Sequence, residues 1–109
     1  MRWIDVHYWL DGSRNRDDAF HIDDAPCRKA VMLAIKLESG GVPPPKSVGL
    51  QGPKSAVLSW EGEGKVLFLT ISEDKAAVRL DGPAGIAHRE TFELGGVRHP
   101  VPAREGSEW

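Results

Sequence analysis

The sequence has one cysteine, Cys27, among its 109 residues, so no intrachain disulfide can form and stability is expected to come from packing. A lone thiol fits a reducing compartment, and the expected location is the cytoplasm. Long apolar runs are also missing. No window approaches the roughly 18 apolar residues of a membrane span, so no membrane partner is expected. Met1–Leu10 is interrupted by Arg2, Asp5 and His7 and does not read as a secretory signal. A basic excess is lacking as well. The 14 Lys and Arg face 16 Asp and Glu, for a net charge of −2. Phosphate contacts supply most of the affinity of nucleic-acid binders, so direct nucleic-acid binding is not expected. No internal repeat or low-complexity segment is visible.

What remains is ordinary globular material: 40% apolar and 28% charged residues, enough for one core in one domain. That domain is expected over residues 1–96, with 97–109 an extended or flexible tail, because Pro100 and Pro102 stand among few apolar residues. Charge is segregated along the chain. Residues 1–26 hold 3 basic and 6 acidic groups, residues 27–60 hold 5 and 1, and residues 61–109 hold 6 and 9.

The expected fold class is α+β, one α-helix packed on an antiparallel β-meander. Trp3–Leu10 alternates Ile4, Val6, Tyr8 and Leu10 against Trp3, Asp5, His7 and Trp9, which reads as a strand. Asp11-Gly12-Ser13 reads as a turn, Arg14–Asp18 as a solvated loop, and Ala19–Ile22 as a short strand. Asp24 is a candidate N-cap with Pro26 in the first turn, and Gly40 and Pro43 mark the stop. A helix over about residues 25–38 follows, with Cys27, Val31, Ala34 and Leu37 on its apolar stripe and Met32 and Ile35 widening it. Strands are expected at Ser47–Gln51, Ser55–Trp60, Lys65–Ser72 and Ala76–Leu80, with an edge strand at Glu90–Leu94. Glu61–Gly64 is read as a four-residue hairpin loop and Asp81–Gly85 as a break. Val66–Ile71 is apolar on both sides, so this strand should be central.

Four constellations are candidates for chemistry. His21, Asp23 and Asp24 have two ligand types for a metal, but Asp24 already has a role as a helix cap and a site needs three or four ligands. Cys27 with His7, His21, His88 or His99 would make a thiol–imidazole pair, yet it lies on the apolar stripe, where a buried, inert thiol is expected. Neither a catalytic set nor a metal or cofactor is therefore expected. His88-Arg89-Glu90 offers acid–base or anion-binding groups, with His88 and Glu90 facing one way and Arg89 the other. It supports an alternative reading as a small enzyme or ligand-binding domain. The pairs Gly62/Gly64 and Gly82/Gly85 precede no helix and are not phosphate loops. Four tryptophans stand out: Trp60 continues the Ala56/Leu58 core face, whereas Trp3 and Trp9 would face outward beside His7. Trp3, His7 and Trp9 are the candidate partner-binding residues, with Asp17 and Asp18 as steering charge.

The stretch Lys29–Ile35, the elbow Val42-Pro43-Pro44-Pro45, Val48-Gly49-Leu50, Val57–Glu61 and Leu67–Ile71 resembles small bacterial and prophage proteins built as helix, Pro-Pro elbow and Trp-bearing meander. The resemblance covers about half the chain and carries no catalytic residue. It implies a mobile-element accessory protein: an immunity protein, an antitoxin or a phage inhibitor of the anti-CRISPR kind. The expected function is thus a non-enzymatic inhibitor that binds another protein, with a homodimer through an exposed sheet edge as a further possibility.

Overall fold

A computed structural model describes residues 1–93. Two helices, α1 (Trp3–Arg14) and α2 (Asp24–Ser39), precede five strands: β1 (Ser47–Leu50), β2 (Ala56–Gly62), β3 (Lys65–Ile71), β4 (Lys75–Gly82) and β5 (Gly85–Glu93). The strands form one antiparallel sheet in the order β1-β2-β3-β4-β5, with the doubly apolar β3 at its centre. The class is α+β and the meander stands as expected. The number of helices does not.

The N-terminal segment is a helix rather than a strand. Its residues fit both periods, because Trp3, Val6, Leu10 and Ser13 recur at helical spacing, and these are the ones buried. Burying that stripe overrides the strand preference of its aromatic and β-branched residues. Asp11-Gly12-Ser13 is the last turn of α1 rather than a loop, and Ala19–Ile22 forms turns and irregular chain. Ile22 is nonetheless anchored, with its N–H on the Ser13 carbonyl and its side chain wholly buried.

Helix α2 starts one residue before the expected position, with Asp23 at the N-cap. The Asp23 carboxylate makes no capping bond. It accepts instead from Lys54 at 2.8 Å and lies 2.9 Å from His21 Nε2. Cys27, Ala30 and Ala34 line the buried side of α2, while Met32 and Ile35, expected to widen the stripe, are each 51% exposed. The two helices run side by side, with Arg14 bridging to Asp24 and the His7 ring 3.8 Å from the Glu38 carboxylate. Helix α2 rests on β2 and β3, and the core joins Val6, Leu10 and Ala34 to Ala56, Leu58 and Ile71.

The β2–β3 connection is tighter than expected. Gly62 pairs with Lys65, and Glu63 and Gly64 alone turn the chain, both with positive φ (54° and 77°), the conformation a two-residue hairpin demands. β4 and β5 also extend beyond their expected bounds and meet at Pro83-Ala84. Residues 94–109, which include the expected tail, Leu94 and His99, lie outside the described residues.

Candidate functional site: the open face of the sheet

Successive side chains of a strand point to opposite faces, so the register sorts the sheet into two surfaces. One surface, with Val48, Leu58, Leu69 and Val78, faces the helix side. The other carries no layer among the described residues. Across it runs one register row spanning every strand: Ser47, Ser59, Phe68, Arg79 and Arg89. The adjacent row is Gly49, Val57, Thr70, Ala77 and Thr91. These small side chains form a floor, and the surface encloses a concavity of about 560 Å³. A Cβ built at Gly49 meets nothing within 4 Å, so packing does not demand the glycine and its bare backbone simply deepens the floor.

The long row is polar and cationic. The hydroxyls of Ser47 and Ser59 are hydrogen-bonded to each other. The Arg79 guanidinium lies 4.7 Å from the centroid of the Phe68 ring, a cation–π contact that holds both side chains flat along the sheet. Arg79 Nε is also 3.0 Å from Asp81 Oδ1, but without the alignment of a hydrogen bond, so the contact is Coulombic. Arg79 and Arg89 stand directly opposite each other on β4 and β5. Like charges at such a pair destabilise a sheet, and arginine cannot relieve the repulsion by losing a proton. Asp81 neutralises one of them, whereas Arg89 makes no ion pair among the described residues.

A bulge creates this juxtaposition. Asp81 pairs with Ile86 but Leu80 pairs with His88, so Ala87 is an extra residue in β5. Without it, His88 would sit opposite Arg79 and Arg89 would project to the helix side. Alternation separates Arg89 from His88 and Glu90, as expected, and the bulge decides which surface each receives. His88 Nε2 lies 3.0 Å from Glu90 Oε1 on one surface, and Arg89 projects from the other. The three do not share a site.

The remaining candidates take structural positions. Trp3 is 7% exposed and donates from Nε1 to the Val42 carbonyl at 3.0 Å, so it is a core residue rather than an outward anchor. Trp9 packs against the core and His7 is half-buried beside Glu38. The outward side chains of α1 are Ile4 and Tyr8. Asp17 is exposed. Asp18 accepts from Arg16 and from the Phe20 N–H, and the Arg16 hydrogen bond foremost lowers its carboxyl to about 2. Its charge is matched within its own loop. Cys27 is buried with its thiol on the Leu10 carbonyl, and burial pushes its pKa up. Among the described residues, no three His, Cys, Asp or Glu side chains form a metal-binding group, and no helix is long and apolar enough to cross a membrane.

Sequence reading missed Ser47, Ser59, Phe68 and Arg79 as a group because their alignment depends on the three turns that join β1 to β4, and the bulge in β5 then adds Arg89. Alternation alone already put Arg79 opposite to Val78 and Leu80. No family model, curated protein or solved structure matches the chain.

Proposed function

We propose that the protein is a non-enzymatic binding protein that seats part of another protein on the open face of its sheet and so blocks or escorts that partner. One observation carries this reading: the row Ser47–Ser59–Phe68–Arg79–Arg89 holds two opposed arginines on a surface that no other described residue covers, an arrangement that weakens the free fold and that a partner bearing negative charge would relieve. The resemblance to immunity, antitoxin and anti-CRISPR-like proteins points to the same physical act, occupation of a partner's working surface. The split of His88 and Glu90 from Arg89 weighs against the alternative, a small active site built on those three residues.

The test is affinity capture from the cells that carry the protein, with two variants in parallel. Ala77→Trp fills the floor of the concavity, and Tyr8→Ser alters the outer side of α1. A partner lost with Ala77→Trp and retained with Tyr8→Ser supports the reading, provided both variants keep the parental circular dichroism. A partner retained with Ala77→Trp and lost with Tyr8→Ser overturns it and moves the interface to the helix layer.

A further inference from the structure

The open face also carries information about the chemistry of its occupant. Resting on the reading above, we infer that the segment seated there is an extended acidic peptide whose carboxylate is held between Arg79 and Arg89. Arg79 and Arg89 are opposed in register on β4 and β5, toward one edge of the sheet and midway along those strands, and Asp81 balances only one of them. The row therefore has one cation in excess, and a carboxylate of the partner supplies the missing charge.

Geometry favours a carboxylate in particular. A guanidinium presents a planar fork that matches a carboxylate with two parallel hydrogen bonds. Arg79 is held flat over Phe68 and so has little freedom to lose on binding. The small floor of Thr70, Ala77 and Thr91 leaves room for a peptide backbone, and the threonine hydroxyls can donate to or accept from it. Five strands spaced about 4.8 Å apart span roughly 19 Å, the reach of about six extended residues.

A nucleic-acid strand has the wrong charge pattern for this surface. Its phosphates recur at every nucleotide, whereas the cations of this face are sparse and interleaved with carboxylates: Glu61, paired with Lys46, and Asp81 stand at one end, and Glu93 stands opposite Lys75 at the other. A polyanion would meet those carboxylates on either side of the arginines. One or two carboxylates on an otherwise neutral chain would not.

The experiment selects binders from a random dodecapeptide library against the full-length protein, then measures the enriched peptides against variants. Enriched sequences should be rich in Asp and Glu. Binding should weaken about ten- to hundred-fold in Arg89→Glu and with the corresponding Gln peptides, and persist in Tyr8→Ser. Peptides that lack acidic residues, tolerate Arg89→Glu and are lost with Ala77→Trp would overturn this inference while leaving the open-face reading intact. Peptides indifferent to both substitutions would overturn both. Failure to enrich any peptide, or tighter binding of octathymidylate that Arg89→Glu abolishes, would also overturn the acidic-peptide inference.

Discussion

The two faces of one sheet use the same strands for opposite ends. On the helix side, Ala56, Leu58 and Ile71 are wholly buried. On the open side, the intervening residues are Val57, Ser59, Phe68 and Thr70, and the one large apolar ring among them is roofed by an arginine from the next strand. Alternation lets β2 and β3 present a core face and a polar open face at once. The covered face is shaped by packing, which tolerates little change. The open face is shaped by charge and small size, which contribute almost nothing to the core.

The sharpest way to break that contrast is to truncate one large side chain on each face. Leu58→Ala should cost about 2–5 kcal/mol of stability, as expected for a buried aliphatic residue. Phe68→Ala should cost about 1 kcal/mol, because only part of its surface is withdrawn from water. Urea unfolding measures both. Equal losses would mean that the open face is a second core and not a free surface.

A smaller effect tests how the helix layer is fastened over the covered face. The Lys54 hydrogen bond, with His21 assisting, holds the Asp23 carboxyl below its ordinary value of 3.8. A lowered carboxyl contributes stability above its unfolded pKa and loses it as pH falls through the folded one. The thermal midpoint should therefore drop on acidification below about pH 4, where unfolded-state carboxyls begin to take up protons. Asp23→Asn should remove part of that drop while changing the midpoint at neutral pH only slightly. A variant with an unchanged acid profile would show that the Asp23–Lys54 link does not fasten the layers.

The smallest effect has the opposite sign. Arg89→Ser removes the opposed charge on β5 and should raise stability by about 0.5 kcal/mol in low salt. A loss of stability instead would show that Arg89 serves the fold, which would remove the main support for a partner on this face.

Much of the sheet was legible because its signals are local. Apolar alternation and turn residues placed β1 to β4 within a few positions, and the double apolar character of Val66–Ile71 identified the central strand. The N-terminal helix was illegible for a specific reason: Trp3, Val6 and Leu10 are buried by α2 and the sheet, and that tertiary burial chooses between two periods the residues satisfy equally. The candidate site was illegible for another. A two-residue turn at Glu63-Gly64, in place of four, slides β2 along β3 by two positions and brings Ser59 opposite Phe68. The Ala87 bulge then moves Arg89 to the other surface. Neither choice is written in composition or periodicity, and each is needed to complete the row.

Because β1 to β5 pair strictly in chain order, a ribosome delivers the molecule in an informative sequence. Within residues 1–93 the helix pair comes first, with a buried stripe that needs a surface to lie on. The β2–β3 hairpin follows and supplies that surface, and none of the buried core residues belongs to β5. Each later strand needs only a short loop to reach its neighbour, which keeps closure entropy low and zippering fast. Arg89 lies on β5, which contributes no buried residue to that core. The opposed pair of arginines therefore depends on a strand the core does not need, and losing β5 would remove the pair while leaving the core residues in place.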